Sequence, residues 1–398
     1  MEPLTVSPAQ HFENSDHLEA ALSYQTPAWG YTRIHNPTLH YLEGTLALLE
    51  GYGSDVETSA VMTSSGMSAI FMATNPFLQA ETDGMNFVAD AKCYGGTFML
   101  FDERYQNERG IDVRWVQDTA NIDAWATRID DETRFLYVEM PSNPSLTVAD
   151  LEPLANLAHD HGIPLIVDST LTTPALMRPI CTVRTLSCIP LVKRSAEADQ
   201  RLLVPSLPNT ISRAVSVPMK CGKTSLATSF GRCATTAHHC LHVLLYSQRF
   251  AYVRTRVDVM SKNAMRVAEF LEAHDMVEAV HYPGLRSNAG HATASKYMWL
   301  ADGDESGNAV NRYGHLMSFM VKGGAEAARN TLDRLQIIWR ATDLGRHKSV
   351  AVIPAISTHQ QQGEEGRELA GIPANLIRLS IGVEHPADLM DELDQALR

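Results

Sequence analysis

Pro164-Leu165-Ile166-Val167-Asp168-Ser169-Thr170 is the stretch on which the reading of this chain depends. The apolar run Leu165 to Val167, set after a proline, predicts a buried strand. The run stops on an acid followed by two hydroxyl residues. In an open α/β sheet, ligands sit just beyond the carboxyl ends of the strands. A carboxylate at that point can pair with a protonated ring nitrogen of a bound cofactor. Asp168 also reads as the N-cap of a following helix, a position that favours aspartate. The motif alone leaves both readings open.

The neighbouring sequence repeats the pattern. Phe87-Val88-Ala89 and Phe135-Leu136-Tyr137-Val138 are further strand-like runs, and Asp150 to His161 carries Leu151, Leu154, Leu157 and Ala158 at helical spacing. Strands alternating with helices predict an α/β fold with a mostly parallel sheet covered on both faces. Residues 1–45 read as an arm, with Pro8, Pro27 and Pro37, leading into a helix from Leu39 to Leu49. Residues 46–240 read as the large domain. Residues 241–398 read as a smaller C-terminal α+β domain, with helices near Phe250–Ala273 and Ala387–Leu397.

The 398 residues are enough for two domains with substantial cores. A formal net charge of −13 argues against a nucleic-acid surface. No stretch is long and apolar enough to span a bilayer. Met1-Glu2-Pro3-Leu4-Thr5 lacks the basic-then-apolar pattern of a signal peptide, so a cytoplasmic location is expected. The six cysteines form no paired framework.

Further motifs narrow the reading. They are Tyr31-Thr32-Arg33 with Asn36-Pro37-Thr38 and Leu42-Glu43, then Ser64-Ser65-Gly66-Met67, Tyr94-Gly95-Gly96-Thr97, Glu139-Met140-Pro141-Ser142-Asn143-Pro144, and Ile377-Arg378-Leu379-Ser380-Ile381-Gly382. With the Asp168 strand, these resemble, in order, the transsulfuration (Cys/Met metabolism) family of enzymes dependent on pyridoxal 5'-phosphate (PLP). That family includes methionine γ-lyases, cystathionine γ-synthases and γ-lyases, and acylhomoserine sulfhydrylases. The resemblance covers roughly residues 25–180 and 241–398. It implies the aspartate-aminotransferase-like fold type I and an amino-acid substrate. It also implies a homotetramer, a dimer of dimers with active sites shared between subunits.

Residue by residue, the resemblance assigns roles. Ser65, Gly66 and Met67 would bind the cofactor phosphate at a helix start, where unpaired N–H groups favour anions. The same run also reads as a plain helix cap. Tyr31 and Arg33 would reach a neighbouring subunit's phosphate. Tyr94 would stack on the cofactor ring and assist the leaving group. Asn143 would lie near the ring hydroxyl and Asp168 would pair with the ring nitrogen, with Ser169 in place of the usual asparagine. Arg378 would grip the substrate α-carboxylate with its bidentate fork. Asp343-Leu344-Gly345 stands where the family carries Ser-Leu-Gly, which places an unexpected acid beside that site.

Residues 181–240 break the pattern. They hold five of the six cysteines, eight Lys/Arg against Glu197 and Asp199, and a single aromatic residue, Phe230. They show no clear strand or helix period. A metal module lacks its usual spacing, since no CxxC pair occurs. A basic disordered insert does not fit a segment that adds no length. A shifted reading frame is the third reading. Codons for Cys181 to Pro190, displaced by two bases, can read His-Gly-Ala-Asp-Ile-Val-Val-His-Ser-Ala, which resembles the family strand before its catalytic lysine. Met219 to Thr228 can read Glu-Val-Arg-Glu-Asp-Phe-Ala-Ser-Tyr-Val, an amphipathic helix. Lys193, in Pro190-Leu191-Val192-Lys193, lies at about the family's spacing from Asp168 and is the candidate Schiff-base lysine. A solvated lysine is its plainer reading.

The expected activity is a methionine γ-lyase type reaction at Cγ, giving methanethiol, 2-oxobutanoate and ammonia. The alternatives are γ-replacement, as in a sulfhydrylase or cystathionine γ-synthase, and a catalytically dead relative lacking the central strand and lysine.

Overall fold

The computed structural model describes residues 4–23, 25–26, 28–32, 36–55, 57–63, 65–78, 84–183, 186–190, 200–205 and 252–398, with 186–190 and 200–205 described as backbone alone. Its strands are β1 (Thr58–Met62), β2 (Asn86–Asp90), β3 (Asp112–Val116), β4 (Thr133–Glu139), β5 (Leu165–Asp168), β6 (Leu186–Pro190), β7 (Gln200–Pro205), β8 (Val277–His281), β9 (Leu316–Val321), β10 (Trp339–Arg340), β11 (Val350–Val352) and β12 (Leu376–Ser380). The first seven form one sheet in the order β1-β7-β6-β5-β4-β2-β3, and the other five form a second in the order β10-β11-β12-β9-β8. In the first sheet β3, β2, β4, β5 and β6 run parallel, while β7 runs antiparallel to both of its neighbours. The second sheet is mainly antiparallel.

The central parallel strands β2, β4 and β5 are mainly apolar and buried between their ends because both of their faces are covered. Leu165, Ile166 and Val167 are fully buried. Leu165 and Val167 pack with Leu136 and Val138 against Leu151, Leu154, Ala155 and Ala158. Ile166 faces the other way with Phe87, Phe135 and Tyr137, toward Phe101 and Tyr105. The period of two along a strand dictates this split.

The helices that position the site follow from local signals. Helix α1 (Ser15–Leu22) is capped by Asn14 and α2 (Pro37–Gly51) by Asn36, with proline in the first turn of α2. Helix α2 begins ahead of the expected Leu39 and runs unbroken through residue 45. Helix α3 (Gly66–Thr74) is capped by Ser65, and α4 (Gly95–Met99) continues into a π-helical stretch, Leu100–Asn107. Then come α5 (Ile122–Ala126), α6 (Leu151–Asp160), α7 (Thr173–Leu176), α8 (Pro179–Val183), α9 (Val253–Glu272), α10 (His291–Tyr297), α11 (Gly324–Arg334), α12 (Gly363–Leu369) and α13 (Pro386–Leu397). Among the described residues no helix is long and apolar enough to cross a membrane.

One expectation for residues 181–240 needs correction, that an inactive relative would lack the central strand. The segment carries regular structure: β6 lies beside β5, with Asp168 opposite Cys188, and β7 pairs with β6 and β1. The sheet position next to β5 is therefore filled, so the chain does not lack a central strand. Backbone pairing asks only for extended conformation, and strand preference is set largely by neighbours. A strand with mixed side chains therefore leaves no period to read.

Helix α2 buries an acid near its end. Glu50 is 0% exposed, and neither carboxyl oxygen has a hydrogen-bond partner among the described residues. The Cys181 thiol of α8 donates to the Glu50 carbonyl at 2.7 Å. Burial pushes the Glu50 carboxyl up to about 8, against a smaller opposing pull from Arg178. A carboxyl raised on folding confers stability that is full below its unfolded pKa of about 4.5 and is lost as pH rises through about 8. Glu50→Gln should therefore raise thermal stability at pH 7 by roughly 3 kcal/mol. The gain should grow between about pH 5 and pH 8 and then level off. Calorimetric melts across that range test this, and a gain independent of pH would contradict it.

Candidate active site

Two adjacent parallel strands end on acids in register, Glu139 of β4 opposite Asp168 of β5. Asp168 follows Val167 and so projects to the face of Ile166, where Tyr137 also lies. Its Oδ2 accepts from the Tyr137 hydroxyl at 3.3 Å. Its Oδ1 accepts from the Thr170 amide at 3.0 Å and from the Thr170 hydroxyl. Asp168 is 3% exposed. It is not the cap of the next helix, because α7 starts at Thr173 with Thr172 flanking it. Ser169 is buried beside it, and its carbonyl accepts from the amides of Thr172 and Thr173, both at 3.2 Å.

Tyr94 stands immediately before α4. Its ring folds over Gly96 so closely that a Cβ there would lie 2.7 Å from Tyr94 Cε1 and 3.1 Å from Met67 Sδ. His359 meets the Tyr94 ring edge-on, with centroids 6.5 Å apart. Burial raises the Tyr94 phenol above its usual value; Arg378 pulls it down and Glu139 pushes it up.

Arg378 lies on β12 yet reaches the strand ends of the first sheet. It is 2% exposed. One guanidinium nitrogen donates to the Thr342 and Asp343 carbonyls at 2.7 and 3.2 Å, and the other to Asn143 Oδ1 at 3.3 Å. Burial lowers Arg378 to about 10, while Tyr94, Asp343 and Glu139 act to keep it charged. The Asp343 carboxylate pairs with Arg346, while the residue's backbone carbonyl accepts from Arg378.

Ser65 caps α3, its Oγ accepting from the Ser68 amide at 3.1 Å. Gly66 and Met67 open the helix, and the remaining first-turn amides have no intrahelical partner. Met67 against Tyr94 joins this helix start to the strand-end cluster. Tyr31 stands apart on the arm, 43% exposed and bridged to Ala9. Arg33 and Lys193 lie outside the described residues.

The residue-by-residue expectations gave no role to Glu139 or Asp90. Glu139 accepts from the Tyr94 amide at 2.5 Å, and Asp90 accepts from the Lys92 amide at 2.7 Å. The signal was present in the sequence: each closes an apolar strand run as Asp168 does.

The cluster suits a PLP ring. Asn143 is fully buried and its Nδ2 has no partner among the described residues. An unsatisfied buried donor costs about 1–3 kcal/mol, and a ring hydroxyl oxygen would satisfy it. Asp168 offers a buried carboxylate to a ring nitrogen, and the α3 start offers amides to a phosphate. Fold and strand-end chemistry together define a PLP-binding α/β enzyme of fold type I. The chain belongs to the Cys/Met-metabolism family of PLP-dependent enzymes, whose model matches residues 1–183 and 222–398 and leaves 184–221 unmatched. It is a PLP-dependent enzyme of carbon–sulfur chemistry.

It is similar to an L-methionine gamma-lyase of Fusobacterium nucleatum subsp. polymorphum, 31% identical over 97% of this chain and 90% of that one. It is also similar to a homocysteine synthase of Schizosaccharomyces pombe, 30% identical over 99% and 93%. A solved Campylobacter jejuni structure, provisionally named an O-acetylhomoserine (thiol)-lyase and carrying a pyridoxyl-lysine, superposes with a TM-score of 0.84 at 30% identity, covering 99% of this chain and 94% of that one.

Asp168→Asn keeps the shape of the side chain and removes its charge. Losing one charged hydrogen bond of about 1.5–3 kcal/mol should weaken PLP retention roughly ten- to a hundredfold. Absorbance titration of the protein with PLP measures this, and unchanged retention would place the ring nitrogen elsewhere.

Proposed function

We propose that this protein is a carbon–sulfur lyase acting at Cγ of sulfur amino acids, of the methionine γ-lyase type. The observation that carries the reading is the convergence of Asp168, Asn143, Tyr94 and Arg378 at one set of strand ends. The lyase is favoured over γ-replacement by the lyase-like stretch Ile377–His385. γ-Replacement remains the second reading, because Gly96 stands where γ-lyases usually carry cysteine, and there a Cβ would press on the Tyr94 ring at 2.7 Å.

When bound, PLP supplies the electron sink for charge developed at Cα. Asp168 holds a proton on the ring nitrogen. Arg378 fixes the substrate α-carboxylate with a planar fork. The Tyr94 phenol, kept protonated by burial, can give its proton to the departing thiolate, which leaves as the thiol. Lys193, or the lysine of a restored reading frame, takes the Cα proton. The break in the family match at 184–221 supports the shifted frame, and resequencing the gene decides it. A homotetramer with shared sites and a cytoplasmic location complete the proposal.

Incubation with methionine should release 2-oxobutanoate, methanethiol and ammonia. Turnover strictly dependent on an acylhomoserine plus sulfide would select γ-replacement instead. Absence of turnover with PLP bound would favour the inactive relative. Arg378→Lys should raise KM for the amino acid about ten- to a hundredfold, the value of one lost charged hydrogen bond. Steady-state kinetics check this, and an unchanged KM would remove Arg378 from carboxylate binding.

A further inference from the structure

Three parallel strands end on buried acids: β2 on Asp90, β4 on Glu139 and β5 on Asp168, at 1%, 2% and 3% exposure. Asp168 has its role in the proposed site. The other two meet the turn between β2 and α4, which carries Tyr94. Asp90 Oδ1 accepts from the Lys92 amide, and Glu139 Oε2 accepts from the Tyr94 amide at 2.5 Å. The turn is thus fastened by carboxylates at two alternate amides. A charge-assisted bond of this kind is about twice as strong as a neutral one, and Glu139 is anchored in the centre of a rigid sheet.

We propose that Glu139 is the positioning residue of Tyr94: from the end of β4 its carboxylate holds the tyrosine's backbone amide and so fixes where the phenol stands. The catalytic part of this rests on the reading of Tyr94 given above. Among the described residues, the groups acting on the Tyr94 ring and phenol include Arg378 from β12, Glu139 from β4 and the His359 ring from the segment before α12. Arg378 favours the phenolate and Glu139 disfavours it. Asp90 faces Lys92 of its own turn and the Glu139 amide, and burial pushes it up to about 7. Cys93 lies between these groups, and burial first, then the charges of Asp90, Glu139 and Asp168, hold its thiol well above its usual range.

The test uses the full-length PLP-loaded protein and reads the Tyr94 phenol itself. Ultraviolet titration of each protein minus its Tyr94→Phe counterpart isolates that one ionisation. In Glu139→Gln the amide oxygen still accepts from the Tyr94 amide, but the charge is gone. The Tyr94 midpoint should fall by about one pH unit, the size typical of a lost neighbouring charge, with little change in melting temperature. Asp90→Asn should leave the midpoint in place. Glu139→Ala, which loses the bond as well, should cost at least tenfold more kcat than Glu139→Gln at similar KM. An unmoved midpoint in Glu139→Gln, or equal kcat in the Gln and Ala variants, would overturn the proposal. If Tyr94→Phe retains full turnover while the midpoint still shifts, the positioning stands and the catalytic reading of Tyr94 fails.

Discussion

A guanidinium with almost no access to water must have its charge and its donors answered from within, because an uncompensated buried ion is costly. Arg378 meets that demand by bridging the two sheets: Asn143 from the first, and the Thr342 and Asp343 carbonyls from the second. The bridge sits on a small apolar contact of Leu146 and Leu171 with Leu316 and Leu344. The Ser318 hydroxyl, bonded to the Pro144 carbonyl at 2.7 Å, lies beside it. The same side chain that the function reserves for a substrate carboxylate therefore also joins the two halves of the protein.

The parallel sheet explains why the polar chemistry lies where it does. Its central strands β2, β4 and β5 are buried on both faces, so their acids stand at the ends, where loop amides and hydroxyls can reach them. Asp90, Glu139 and Asp168 each take a bond from the chain around them: a backbone amide of the adjoining turn for Asp90 and Asp168, and the Tyr94 amide for Glu139. Of these, Asp90 is pushed up to about 7 by burial, against the opposing pull of Lys92.

Much of this was legible in the sequence, and for definite reasons. The runs at 87–89, 135–138 and 165–167 read as strands because both faces are covered, and α6 read as a helix because only one of its faces is. Asp168, Asn143, Tyr94 and Arg378 were found through ordered motifs, and they converge. Glu139 was quoted inside its motif but given no role, since its partner is a backbone amide and backbone partners leave no trace in side-chain identity. Strands β6 and β7 were unreadable because pairing with β5 and β1 imposes an extended shape on residues without a pattern. Tyr31 is placed by the arm, exposed and bridged to Ala9, so its expected role needs a second subunit and is not written in one chain.

The Tyr94 turn shows how docking and chemistry are linked. Gly95 lies so near the second unit that a Cβ would come within 2.5 Å of the Thr358 carbonyl and 3.2 Å of the His359 ring. Only glycine allows backbone to approach backbone so closely. The turn is therefore held from below by Glu139 and from the side by the segment at 358–359. Arg378 acts on the phenol from the same second unit. Any relative movement of the two units would change the Tyr94 ring contact, its electrostatic balance and the carboxylate-binding arginine together. Seating of the second unit on the first is thus a condition for the phenol, the guanidinium and the strand-end acids to face one another.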